Sequence, residues 1–407
     1  MHGTVGSEVS ISASSPRVSI PALTGLRFVA AMMVVIGHGA PLIIGMPVLV
    51  HLLEPLAGAA MAVFFTLSGS VIWLNYAGHF SNGIEARHLK SFTVARFARL
   101  WPMYFVTILI GLATMIHAGP MPPDVVPGTI FFLEGIQAWI PAIGKTMVAF
   151  TLAPVAHLWS VSAEMFLYAM FPLMCLPISR LRSLISIVCI GVISTSLAVA
   201  LHYVLLYHNA AVKAVVAPAL SDSDAMGWVG YYAPYPHLFE FLAGCLAARA
   251  YEILRDNGIT SKERVVARVI AWLSLLIVVG VILTYQFLSS LGSWFWPVCV
   301  LLRTASGPPL ALLVFYACRY EGFSSRFLSN RTMVVGGEAS YSIYLLHPFA
   351  ENFWRIGLLA PVIAGIPTLV SFVGLLIFTI AISTVTYRLI EVPARSFLRK
   401  SLSARAQ

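Results

Sequence analysis

Ten apolar runs, each about the length of a bilayer-crossing helix, follow one another along the chain between polar breaks rich in Pro and Gly. A helix needs about 20 apolar residues to cross the hydrocarbon core. Runs of that kind lie near 22–44, 54–77, 95–117, 158–178, 182–207, 229–251, 265–287, 294–317, 338–357 and 361–389. The pattern predicts an all-α integral membrane protein, a bundle of about ten transmembrane helices. A further apolar stretch, 126–141, is short and bracketed by Pro127 and Pro141, and reads as an interfacial or re-entrant segment. The connection that holds it, 118–157, is long enough to form a lid over an external cavity. Residues 1–20 read as a disordered tail, 21–395 as one multi-span membrane domain, and 396–407 as a basic tail. No small-residue cleavage site follows the first run, which therefore reads as a retained helix rather than a signal peptide.

Charge orients the bundle. With ten spans the loops alternate sides, and all Lys and Arg except Lys145, Lys213, Arg355 and the intramembrane Arg303 fall on one set. Short-loop basic residues mark the cytoplasmic face, so both termini are expected there. An eleventh crossing at 126–141 would place Arg180 and Arg182 outside and reverse every later loop. Only 10% of the 407 residues are charged while 59% are hydrophobic; a soluble domain carries about 25% charged residues and is excluded. The net charge of +9 is then topology, with no nucleic-acid partner implied. The five cysteines form no C-x-x-C pair, and neither a disulfide framework nor a metal site is expected.

Polar residues inside the runs each need a reason, because a mid-bilayer charge costs at least about 2.5–3.5 kcal/mol. Arg27 and His38 share the first run, eleven positions and roughly 16 Å apart on nearly one helix face. Arg27 fits an ordinary snorkelling anchor or an anion ligand; His38 fits a satisfied buried histidine or a catalytic one. Arg96 and Arg99 sit one turn apart in the third run, suited either to positive-inside anchoring or to bidentate phosphate contacts. Glu164 lies two turns into the fourth run, at a depth comparable to His38, with His157, Trp159, Ser160 and Ser162 at the same entrance. A Glu and a His at matched depth could polarise one another for proton transfer; a structural Glu is the alternative. Ser68, Gly69 and Ser70 interrupt the second run and suit close helix packing or ligand contact. Tyr341 and His347 in the ninth run are cavity-lining candidates, with a packing or kink role for His347 ahead of Pro348. Arg303 and Glu240 must each face protein or water.

The segments LTGLRFVAAMMVVIGH, FFTLSGSVIW, ARFARLWPMYF, HLWSVSAEMFLYAMFPL and SYSIYLLHPF occur in the order of the membrane acyltransferase-3 family, which the chain resembles from about residue 21 to 395. Arg27 to His38 and Arg96-x-x-Arg99 match its motifs most closely. Two departures stand out: SGS where SGF is commoner, and Ala163 where a bulkier residue usually precedes the Glu. No C-terminal SGNH-type esterase domain is seen, which resembles the stand-alone subgroup.

The family contains O-acyltransferases of bacterial surface sugars, Nod factors and some macrolides. The resemblance implies transfer of an acyl group, commonly acetyl, from cytoplasmic acyl-CoA as co-substrate to a hydroxyl, at the bacterial inner membrane. It implies a carbohydrate acceptor, such as an exopolysaccharide or O-antigen unit, and no bound cofactor. His38 is then the expected general base, Glu164 its orienting or polarising partner, and Arg27, Arg96 and Arg99 the ligands of the acyl-CoA phosphates. Ser68, Trp159, Ser160, Tyr341 and His347 are expected as cavity lining. Direct attack and a transient acyl-enzyme on His38 or a nearby Ser stay open. Two rival readings are a secondary transporter or flippase using Arg27, His38 and Glu164 as a pathway, and a non-catalytic partner of a polysaccharide assembly complex.

Overall fold

Apolar runs punctuated by Pro become helices that begin at those prolines, since Pro at the first helical position forfeits no backbone bond. In the computed structural model, which describes residues 19–118, 139, 153–207, 210, 214, 231–290, 304–356 and 367–404, helix α1 runs Pro21–Gly39, α2 Pro47–Leu53 and α3 Pro55–Phe80. They are followed by α4 (Ala86–Ala118), α5 (Trp159–Ser179), α6 (Leu184–Tyr207), α7 (Pro234–Leu254) and α8 (Ser261–Ser290). The last are α9 (Gly307–Arg319), α10 (Phe323–Leu328), α11 (Arg331–Glu338), α12 (Ser340–Ile356), α13 (Thr368–Thr386) and α14 (Val392–Ala404). A π-turn, Tyr387–Glu391, joins α13 to α14. Among the described residues no strand occurs. The 126–141 stretch apart from Trp139, the 1–18 tail, Arg303, Lys145 and Lys213 lie outside the described residues.

Seven of these helical stretches are long and apolar enough to cross a membrane. The three other expected spans coincide with α7, α9 and α12. Of these, α9 and α12 are only 13 and 17 residues long as described. Helix α7 has the length but carries His237, Glu240, Arg249 and Glu252, and its position explains that composition. It is packed against α3, α5, α6 and α9, so its polar groups meet protein rather than lipid. Glu240 bonds to His237 Nδ1 at 2.8 Å, and His237 Nε2 reaches the Tyr231 carbonyl at 2.8 Å. By contrast α6 and α8 expose Ile185, Val188, Val192, Trp272, Leu273 and Leu276, the lipid-facing side of the bundle.

Without a hydrophobic drive between helices in lipid, close approach and interhelical hydrogen bonds hold the bundle. The crossing of α3 and α7 uses both. A Cβ added at Gly244 would lie 1.9 Å from the Thr66 carbonyl oxygen, and one at Gly69 2.0 Å from that of Phe241. Ser70 Oγ donates across the crossing to Gly244 O at 2.9 Å. Replacing Ser70 by Ala is expected to cost about 0.6–1.7 kcal/mol, the range for such bonds in membrane helices, read as a lower unfolding midpoint in detergent. Helix α11 is N-capped by Asn330, whose side chain accepts from Met333 N at 2.9 Å. Its Gly337 then packs against the Thr24 backbone of α1. The residues expected as a basic tail from 396 are helical through Ala404 and pack on α4.

Candidate functional site

Arg27 leaves α1 near its start, and Arg96 and Arg99 leave α4 one turn apart, so three guanidinium groups converge on a cavity of about 720 Å³. Helix α3 lends Ser68, Val71, Ile72, Asn75 and Tyr76, α5 lends Tyr168, and the last wall comes from α14. Arg395, Ser396, Arg399 and Lys400 recur at helical spacing on one face of that helix, and all four line the cavity. Six cations therefore face one space, and among the described residues no acidic side chain lines it. Arg96 is held by aromatic groups: it donates to Tyr76 Oη at 2.8 Å, and its guanidinium sits 4.7 Å from the Tyr76 ring centre and 5.6 Å from that of Tyr168. Its buried Nε has no hydrogen-bond partner among the described residues. A buried donor left open inside a cationic cavity fits an anionic ligand such as phosphate.

Arg27, Ser68 and Arg99 also line a second, narrower space of about 60 Å³, bounded further in by Glu164, Ser160, Tyr341 and Tyr344. Ser68 Oγ donates to Glu164 Oε1 at 3.1 Å, and Tyr168 Oη donates to the same oxygen. Adjacent residues of one motif thus divide its two expected roles, Ser68 facing the passage while Gly69 and Ser70 hold the α3–α7 crossing. Tyr341 donates to Leu100 O at 3.0 Å. Ser160 donates to Tyr344 Oη at 2.6 Å, which in turn donates to His157 O at 2.9 Å. Trp159 lines neither space; its ring packs against Tyr231, Tyr232 and Phe65.

At the other end of α1, His38 and His347 share a hydrogen bond, Nδ1 to Nε2, at 2.7 Å, with ring centres 5.0 Å apart and planes 15° from parallel. His347 is fully buried, whereas His38 is exposed. His347 Nδ1 lies 2.5 Å from the Tyr344 carbonyl oxygen, and His157 Nε2 lies 3.1 Å from that of Leu345. One turn beyond His347, Glu351 has a buried Oε1 with no partner among the described residues. That oxygen would lie 3.9 Å from a Cβ built on Gly39.

The fold brings Arg27, Arg96 and Arg99 to one cavity, whereas the bonds of Glu164 run to Ser68 and Tyr168 rather than to His38. Counting residues into a helix gives depth and leaves the direction around its axis open. The partner of His38 is His347, 309 positions away, a residue expected chiefly to pack or kink its helix. Arg395, Arg399 and Lys400 were legible only as basic residues, and Glu351 gave no signal beyond its charge.

A family model described as "Acyltransferase domain" matches residues 20–388. The "Acyltransferase MdmB" of Streptomyces mycarofaciens is 34% identical over 169 residues, 39% of this chain and 40% of that protein. A Staphylococcus aureus (strain COL) protein named as an O-acetyltransferase is 24% identical over 400 residues, 95% of this chain. The chain spans 59% of the length of that second relative. No solved structure matches the chain significantly.

Proposed function

Since the chain belongs to the acyltransferase-3 family, matched across residues 20–388, we propose that it is a membrane O-acyltransferase, moving an acyl group from acyl-CoA to a hydroxyl of a surface or exported glycan. The observation that carries this reading is continuity: Arg27, Ser68 and Arg99 border both the cationic cavity and the passage leading on to Ser160 and Tyr344. A CoA ester has the matching form, with phosphates at one end and a thioester at the end of a linear arm. Its phosphates sit against Arg27, Arg96 and Arg99, and its arm points along α1 toward His38, about 16 Å away. At about 60 Å³ the passage is narrow, so entry of the arm requires lining side chains such as Met61, Phe64 and Phe65 to move aside.

In this reading the acceptor hydroxyl meets the exposed His38. Nε2 takes the hydroxyl proton as the oxygen attacks the thioester carbonyl. The C–S bond then breaks, the thiolate leaves, and the proton on His38 passes to it, giving an ester and free CoA. Glu164 acts at the arginine end, as counter-charge to Arg27 and Arg99 when no donor is bound. The Glu351 oxygen that has no partner among the described residues suits a second hydroxyl of a polyol acceptor. The grouping of Lys and Arg supports a bacterial inner-membrane protein of about ten spans with cytoplasmic termini and a donor entering from the cytoplasm.

The test supplies the reconstituted protein with acetyl-CoA carrying a labelled acetyl group, together with extracted surface polysaccharide. Ester-bound label with stoichiometric release of free CoA is expected; passage of label into vesicles without ester would overturn the reading in favour of transport. The double substitution Arg399→Ala, Lys400→Ala is expected to raise the donor KM about tenfold with kcat held. That is the equivalent of about 1.4 kcal/mol, slightly below the roughly 1.5–3 kcal/mol of a hydrogen bond to a charged group.

A further inference from the structure

Pro348 has no N–H, so the carbonyl four residues before it, that of Tyr344, lacks its usual helical donor. His347 fills that place: its Nδ1 lies 2.5 Å from Tyr344 O. A carbonyl only accepts, which puts a proton on His347 Nδ1. The His347 side chain is fully buried, and no carboxylate among the described residues bonds to it. An uncompensated imidazolium is unfavourable in such a place, so the ring is neutral and its Nε2 holds only a lone pair. The 2.7 Å contact with His38 Nδ1 then requires His38 to donate. With its one proton on Nδ1, His38 keeps a bare lone pair on Nε2.

We propose that His347, held by Tyr344 and released to this role by Pro348, is a positioning residue that locks His38 in the tautomer whose Nε2 is free to take a proton. The inference rests on the proposed function for its purpose, though not for its geometry. The same bond serves a second purpose during transfer. Once Nε2 has taken the hydroxyl proton, His38 is an imidazolium, and its Nδ1–H bond to a neutral acceptor becomes charge-assisted and stronger. The near-parallel rings fix the plane in which Nε2 points. The segment carrying His347 is itself held, because Tyr344 Oη and the Leu345 carbonyl both bond to His157.

Two measurements test this. Nitrogen NMR of the full chain labelled in histidine, with His38 assigned by comparison to His38→Ala, should show His38 protonated at Nδ1 and bare at Nε2. The same state is expected in His347→Gln, whose side-chain oxygen still accepts, whereas His347→Phe should lose it. A proton on Nε2 of His38 in the unaltered protein overturns the inference. In cells lacking the gene, complementation is read as ester-bound acetate on the surface glycan. His347→Phe should lower it by at least about 10–100-fold, the loss typical when a functional histidine's outer hydrogen-bond partner is removed, with His347→Gln close to the unaltered protein. If His38→Ala loses the acetate while His347→Phe keeps it, the positioning role fails and the enzyme reading stands. If the Nδ1–H tautomer is found but deletion of the gene leaves acetate unchanged, the function fails and the tautomer lock stands.

Discussion

Replacing His38 by Ala is expected to lower acyl transfer by about 10²–10⁴-fold, the span a positioned general base supplies. The donor KM should hardly move, because Arg27, which borders the cavity proposed to hold the donor phosphates, sits about 16 Å along α1 from the lost imidazole. The fold should survive, since His38 is exposed and its side chain bonds to His347 alone among the described residues. A modest fall in thermal stability is nonetheless expected. The substitution leaves His347 Nε2 buried without its donor, which costs about 1–3 kcal/mol. Initial rates at saturating and limiting donor, alongside a melting curve of the same preparation, separate the two effects. Unchanged kcat in a correctly inserted protein would remove His38 from the chemistry.

The largest structural effect is expected from Gly244→Val at the α3–α7 crossing. A Cβ there would come within 1.9 Å of the Thr66 carbonyl oxygen and 3.0 Å of Ser70 N, and both obstacles are backbone. Neither can rotate away, so the helices must separate. Separation breaks the Ser70 bond to Gly244 O and loosens the contact of Gly69 with Phe241. The expected cost exceeds the usual overpacking penalty of about 1–3 kcal/mol, and the variant should fail to give a monodisperse peak in size-exclusion chromatography. Gly78→Ala on the same α3 is the control. Among the described residues nothing lies within 4 Å of a Cβ there, and Ala gains up to about 1 kcal/mol of helix propensity over Gly. If Gly244→Val elutes like the unaltered chain, the close crossing is not what holds α3 and α7.

Much of this arrangement can be read from the chain because lipid imposes strict rules on composition and length. Membership of the helical membrane class and the eleven-residue step from Arg27 to His38 both follow from local pattern, as does the one-turn pairing of Arg96 with Arg99. What stayed hidden depends on lateral packing. Helix α7 looks like one more span, yet its His237–Glu240 pair shows why it tolerates charge: other helices shield it from lipid. Glu164 could be placed in depth but not in azimuth, and its turn toward Ser68 and Tyr168 puts it on the passage it shares with Arg27 and Arg99. His347 could not be paired with His38 from sequence, because 309 residues separate them and only the bundle brings α12 against α1.

The π-turn at Tyr387–Glu391 has a geometric consequence for the cationic cavity. One residue of an α-helix corresponds to about 100° of rotation, and a π-turn carries one residue more than the α-helical ladder needs. That surplus residue works like the offset of a key's teeth: it turns the stripe Arg395, Arg399 and Lys400 relative to everything before Tyr387. Glu391, buried and accepting from Ser342 Oγ at 2.6 Å, pins the turn to α12, the helix that also carries His347. The angular setting of Arg395, Arg399 and Lys400 and the placement of the His38–His347 pair are thus referred to a single helix, and any rotation of α12 re-aims both ends of the site together.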